Sequence, residues 1–347
     1  MTAAETAQAA RSEPATSADP KRRGRRRRRR AGGVVAITGI HGVLASGLLR
    51  RLEEDDRYER LVLLDVRAPS KPLRKAVFHK IDLTEPVADA MVADVLRREQ
   101  VETVVHLALR AAPRPLAEDA HELETVGTMY LLNGVADCIA RGTPLGKLVT
   151  VTTTMVYGAD ARNPNFLTED HALWAHPGSG FVRDKIEVEA QLAEFRAEQG
   201  LPICVLRPCW TLGGGRASMA ARLLGQSPAL SVMGFDPLLQ LLHDDDLQDI
   251  VKRAIDRTYD GAFNLAGGGV LPLSALFRIA GRPVLPLPGP IVYPLASALW
   301  RSYGIGTGVS MDFVRHLWVA DSERAAHELG FSPRYSTREV AESYGAH

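Results

Sequence analysis

VVAITGIHGVLASGLL, residues 34–49, decides the architecture of this 347-residue chain. A β-rich apolar run, Val34 to Thr38, stops at a glycine turn and gives way to a helix-like segment. Gly39, Gly42 and Ala45 have a G-x-x-G-x-x-A spacing. Between a strand and a helix, the first glycine permits the tight turn and the second lets a pyrophosphate approach the backbone. The small third residue lets the helix pack on the strand. The anion would sit on the helix N-terminal amides. Twenty residues after Ala45, Asp65 closes a second apolar run, LVLLD (61–65). A carboxylate there accepts hydrogen bonds from an adenosine ribose and repels a 2′-phosphate. The combination predicts a dinucleotide site for NAD, with NADP less favoured. Arg67, two residues on, softens that preference without reversing it.

Outward from this turn, short apolar runs alternate with helix-length segments. VVAIT (34–38), LVLLD (61–65), AVFHKI (76–81), TVVHLA (103–108), KLVTVT (147–152) and ICVLRP (203–208) predict strands. Their near-continuous apolarity suits strands covered on both faces. Helical stretches fall around 43–54, 86–99, 117–141 and 181–199. The alternation specifies an α/β fold, a doubly wound parallel Rossmann sheet. After about Leu212 the rhythm changes to short helices separated by strand-like pieces, a smaller C-terminal α/β substrate lobe. The expected organisation is an arm over 1–32, an NAD-binding domain over 33–212 and an interleaved lobe over 213–347.

The total charge of +1 hides two opposite balances. Residues 1–32 hold ten Lys or Arg against three acids, +7; the remainder holds 32 bases and 38 acids, −6. An acidic folded part argues against a nucleic-acid-binding core. Residues 1–30 contain no Leu, Ile, Val or Phe, so a disordered basic arm is expected. It is either a solubility tail or a tether for nucleic acid or an anionic membrane surface. The uncharged stretch Ala31–Leu49 is no membrane anchor, because five glycines interrupt it. Pro283 to Trp300 is also uncharged but carries five prolines. It is expected to be a loop and a helix of the small lobe, with an exposed partner surface as the alternative. Cys138, Cys204 and Cys209 lack metal-ligand or paired spacing, so neither a Cys-type zinc site nor a disulfide scaffold is expected. A reducing, cytoplasmic location fits.

From Val34 onward the chain resembles the extended short-chain dehydrogenase/reductase family, in its nucleotide-sugar epimerase and dehydratase group. TGIHGVLA resembles the family's cofactor turn, which implies cofactor contacts for Gly39, His41, Gly42 and Val43. Asp82-Leu83 matches the pair that touches adenine, and Leu107-Ala108 the strand end beneath the cofactor. VGTMYLL (126–132) resembles the N-V-x-G-T segment, with Glu124 where the Asn would stand. TTTMVYG (152–158) resembles S-S-x-x-V-Y-G, which implies that the Thr153 hydroxyl bonds substrate. LRPCWTLG (206–213) resembles the turn closing the nicotinamide side, with Pro208 at the cofactor; LLHDDDLQDIV (241–251) and FNLAGGG (263–269) resemble elements framing the sugar nucleotide.

The resemblance breaks at the catalytic tyrosine. The family's Y-x-x-x-K places the two residues one helical turn apart, with the lysine on the ribose and lowering the tyrosine pKa. Here the helix has Phe181 and Lys185, so the lysine's role is implied and the hydroxyl is missing. Two readings follow. One is an NAD-dependent oxidoreductase or isomerase acting on a nucleotide sugar by transient hydride transfer, with Tyr157, Asp184 or His176 as substitute proton carrier. The other is an NAD-binding sensor or partner-binding module with little turnover. The family also implies a homodimer built from helices such as 117–141 and 181–199.

Overall fold

The structure, a computed structural model, describes residues 33–113, 121–213, 218–303 and 309–345. The expected disordered arm over 1–32 lies outside them, as does the start of the helix expected over 117–141.

Seven parallel strands form the central sheet: β1 (Gly33–Thr38), β2 (Tyr58–Asp65), β3 (Ala76–Lys80), β4 (Thr103–His106), β5 (Lys147–Val151), β6 (Ile203–Pro208) and β7 (Gly261–Leu265). Their order is β7-β6-β5-β4-β1-β2-β3. Every neighbouring pair is parallel. The order reverses between β1 and β4, so their carboxyl ends diverge and open a crevice, where such sheets bind ligands. Six of the strands are the apolar runs of the sequence; β7 is a seventh, drawn in from the C-terminal third.

Alternation within each strand assigns the two faces. Val35, Ile37, Leu61 and Leu63 pack on one side with Leu48 and Leu52 of α1 (Val43–Glu53). Ala36, Val62, Val104 and Leu148 pack on the other, against α2 (Ala88–Arg98), α3 (Gly127–Ala140) and α4 (Gly180–Gln199). All of these strand side chains are fully buried. At about 25 cal/mol per Å² of apolar area, such burial on both faces is the main force holding the layers together. A second core lies in the C-terminal lobe around Trp210, Phe277, Phe313 and Trp318. Its helices are α5 (Met219–Leu224), α6 (Asp244–Asp256), α7 (Leu273–Ile279), α8 (Gly289–Tyr303) and α9 (Thr337–Gly345). Of these, α6 instead packs against α1, in the first core.

The proline-rich segment differs from the expected loop. Val284–Leu287 is a strand, and among the described residues it pairs, in parallel, only with Ala229–Val232. A two-stranded ribbon leaves each strand an open edge, and prolines are tolerated there. Pro294 lies inside α8. Ala325–Leu329 forms a short wide helical turn, which ends at Gly330 in a left-handed conformation.

Candidate functional site

A cleft of about 490 Å³ opens at the carboxyl ends of the central strands. Gly39 has φ +70°, and a Cβ built on it would lie 2.4 Å from the Leu107 carbonyl group. No side chain fits between the β1 turn and the exit of β4. Gly42 has φ +121°, and its Cβ would meet nothing within 4 Å because it faces the open cleft. A side chain there would fill the space that a phosphate needs. Gly42 is also the N-cap of α1, and no side chain among the described residues caps that helix. An unfilled helix N-terminus beside a side-chain-free turn fits a pyrophosphate.

Asp65 is fixed beside this turn. Its Oδ2 accepts the Ile40 amide at 3.0 Å, and its Oδ1 accepts the Arg67 amide at 3.3 Å. His41 leans over the same carboxylate, its Nε2 3.8 Å from Asp65 Oδ1 and 3.1 Å from the Arg67 carbonyl oxygen. Asp82 and Leu83 line the neighbouring wall. Asp82 Oδ1 accepts both the amide and the hydroxyl of Thr84, at 3.0 and 2.7 Å. Val43, Leu107, Ala108 and Pro208 complete the walls around the turn, and Thr153 and Phe181 line the far end. Thr153 Oγ1 accepts the Met155 amide at 3.2 Å, which caps the short helical turn Thr154–Tyr157.

Two residues expected at the chemistry stand back from the cleft wall. Lys185 is 1% exposed, and its Nζ donates to Glu124 Oε2 at 2.7 Å. Glu124 is equally buried, and its other oxygen accepts the Arg110 amide at 2.9 Å. The Phe181 ring lies over the ammonium at 5.2 Å and separates it from the cleft. Burial pulls the Lys185 pKa below its ordinary value, against the opposing pull of Glu124. Tyr157 donates to Asn264 Oδ1 at 2.8 Å and accepts from Arg207 Nη1 at 2.7 Å. Burial pushes its phenol up to about 12, which suits a structural hydrogen bond better than proton transfer near neutrality. The Arg207 guanidinium pairs in turn with Glu189, and Thr152 donates to the same carboxylate at 2.6 Å.

The other candidate proton carriers also lie off the cleft. Asp184 is paired with His121 Nδ1 at 2.9 Å, and that contact raises the His121 pKa. His176 Nδ1 accepts the Gly178 amide and holds a local turn.

Sequence reasoning missed two features. His106, at the end of β4, is fully buried between the hydroxyls of Thr38 and Thr128, at 2.7 and 3.0 Å. Burial lowers its pKa to about 3, so it is neutral and fastens β1, β4 and α3 beneath the site. On the far wall, Ser218, Met219 and Arg222 reach the cleft from the start of the small lobe. Arg222 Nη1 donates to the Pro113 carbonyl at 2.5 Å, and its guanidinium lies 5.8 Å from the Trp300 ring. The spacing of MAARLL gave no sign of this, because only the tertiary fold brings α5 to the cleft. Among the described residues no group of three or more His, Cys, Asp or Glu could hold a metal ion.

Residues 35–266 match the sequence model of the NAD dependent epimerase/dehydratase family. An uncharacterised protein of Mycobacterium tuberculosis is 30% identical over 321 residues, 90% of this chain and 83% of its own length. Among solved structures, UDP-glucose 4-epimerase from Thermotoga maritima with UDP-glucose has a TM-score of 0.66 at 20% identity, over 90% of this chain and 97% of its own. dTDP-glucose 4,6-dehydratase from Bacillus anthracis in complex with NAD has the same TM-score at 14% identity, over 91% and 96%. At these identities the structural likeness speaks for the fold.

Proposed function

The chain belongs to the NAD dependent epimerase/dehydratase family, and from that premise we propose that its cleft binds NAD and receives a nucleotide-sugar-like hydroxy substrate. The observation that carries the cofactor half is Asp65, held by the Ile40 amide at 3.0 Å beside a glycine turn with no side chain over it. Gly42 and the start of α1 take the pyrophosphate, Asp65 the adenosine ribose, and Asp82 with Leu83 the adenine. Bound there, NAD supplies the hydride acceptor, and an epimerase-type reaction returns the hydride to the opposite face. The chain's own task is to orient a substrate hydroxyl at Thr153 and to exclude water with Phe181 and Pro208. Arg222 supplies a cation on the substrate wall.

A second reading rests on one observation, the Lys185–Glu124 pair beneath Phe181. With no hydroxyl at position 181 and the ammonium already engaged, a proton carrier in contact with substrate is missing at that place. The protein would then bind NAD with little turnover. Titrating purified protein with NAD and NADP, followed by hydride exchange with UDP- and dTDP-sugars, separates the readings. NAD binding with exchange supports the first, and NAD binding without exchange supports the second. Absence of NAD binding overturns both.

A further inference from the structure

Six large apolar side chains of the C-terminal lobe stand 38–53% exposed: Met233, Phe235, Val284, Leu285, Ile291 and Leu295. They belong to one continuous piece of structure. The strand Val284–Leu287 pairs with Ala229–Val232, and the Met233 amide donates to the Leu287 carbonyl at 2.9 Å. Two residues after the strand, α8 begins, and it packs back against the same ribbon. On α8, Ile291, Leu295 and Ala298 recur at helical spacing and all are exposed, while Val292 is fully buried. A surface helix ordinarily turns a polar stripe outward. Here the outward stripe is apolar too.

The chain that builds this face is basic, and the two acids beside it are engaged: Asp236 accepts the Ser274 amide and hydroxyl at 2.8 and 2.7 Å, and Asp312 accepts the Tyr293 hydroxyl at 2.6 Å. No Asp or Glu occurs anywhere from 261 to 311, although the chain has 41 acids, and the only charged residues there are Arg278, Arg282 and Arg301. Arg278 and Arg301 are exposed. A second copy is a poor occupant for such a face, because a twofold contact would set the arginines against themselves. An anionic lipid surface suits both features, since apolar side chains enter the boundary between headgroups and acyl chains while arginines meet lipid phosphates. Residues 1–32 carry a further +7.

We propose that α8 and the strand before it form an interfacial docking face for an anionic bilayer, with the basic arm supplying long-range attraction. The two attachments add, the apolar face supplying the salt-resistant part and the arm a salt-sensitive enhancement. The attachment is peripheral: among the described residues no helix is long and apolar enough to cross a membrane. The face adjoins the cleft through Trp300 of α8, which lies under the cleft residue Arg222. The proposal is independent of which reading of the cleft is correct.

The test is co-sedimentation of the full-length protein with phosphatidylcholine vesicles and with mixed phosphatidylglycerol–phosphatidylcholine vesicles, at low and high salt. Binding to the mixed vesicles alone is expected, partly surviving high salt, which screens the arm but leaves apolar insertion intact. The double variant Ile291→Ser/Leu295→Ser should lose the salt-resistant part, weakening high-salt binding about tenfold or more. Both positions are exposed, so unchanged circular dichroism and thermal midpoint are expected. A second variant with Arg25–Arg30 all changed to Gln should lose the low-salt enhancement and keep the salt-resistant part. Three results overturn the proposal: no binding to the mixed vesicles, binding abolished entirely by salt, or undiminished high-salt binding by the double Ser variant. A dimer of the wild type that the Ser substitutions dissociate, seen by sedimentation velocity, would assign the face to a second copy instead.

Discussion

Replacing Glu124 by Gln tests the interior of the site most directly. Its carboxylate lies 2.7 Å from Lys185 Nζ on one side and accepts the Arg110 amide at 2.9 Å on the other. Glutamine keeps an oxygen for the amide but removes the counter-charge, so an ammonium 1% exposed is left unpaired. Breaking a buried pair in this way costs about 3–5 kcal/mol, because the remaining charge keeps its desolvation penalty. Against a typical total of about 5–15 kcal/mol, that is a large share. Urea unfolding should show the midpoint falling with the slope unchanged. Adding Lys185→Met removes the stranded charge, so the double variant Glu124→Gln/Lys185→Met should recover much of the loss. A cost below about 1 kcal/mol for Glu124→Gln, or additive losses in the double variant, would refute the buried-pair reasoning.

Three other expectations follow from the same geometry. Asp65→Ala should weaken NAD binding by about 10–100-fold, since a charged hydrogen bond contributes about 1.5–3 kcal/mol, and should shrink any preference over NADP; intrinsic fluorescence titration reads both. His106 has a pKa of about 3 in the fold and 6.5 when free, so unfolding takes up a proton: its contribution is full above pH 6.5 and falls as the pH drops, by about 2 kcal/mol at pH 5. His106→Asn should flatten the stability–pH slope between pH 6.5 and 4, and an unchanged slope would show that another group titrates there. Phe181→Tyr alone should leave hydride exchange with nucleotide sugars nearly unchanged, whereas Phe181→Tyr/Glu124→Asn should raise it toward the 10²–10⁴-fold range of a positioned acid–base group. A full gain from Phe181→Tyr alone would show that Lys185 is not engaged as the geometry describes.

The parts of the molecule legible in the sequence are those specified locally. Six strands announce themselves as apolar runs: five are buried on both faces, and β3, at the sheet edge and only partly buried, is more polar. The seventh, Gly261–Leu265, is short and embedded among C-terminal pieces, so nothing local assigns it to the main sheet. The turn residues Gly39 and Gly42 and the acid Asp65 lie within 27 residues of one another, and their spacing carries the chemistry. Glu124 and Lys185 are 61 positions apart, and only the packing of α4 against the segment before α3 brings them together. The same holds for Arg222, which reaches the cleft from the small lobe. The strand in the proline-rich segment was illegible for another reason: Pro286 within it and Pro283 and Pro288 beside it argue against pairing unless the partner is known to be a lone edge strand.

Phe181 and Glu124 form one coupled arrangement around Lys185. A lysine buried on α4 has to satisfy three donors, and burial penalises its charge unless an acceptor or counter-charge is at hand. A tyrosine at position 181 would offer an oxygen one helical turn away; phenylalanine offers only the face of its ring, 5.2 Å from the ammonium. The Glu124 carboxylate supplies the missing partner at 2.7 Å. This arrangement lies apart from the proposed cofactor wall, where Gly39 and Gly42 shape the turn and the Asp65 carboxylate accepts the Ile40 amide. The glycine turn and the Phe181–Lys185–Glu124 cluster are therefore structurally separate. Restoring only the hydroxyl leaves the lysine committed to Glu124, and removing only the carboxylate leaves the lysine without a partner. The first change leaves the lysine engaged and the second strands a buried charge, so the pair must be altered together for its chemistry to be read.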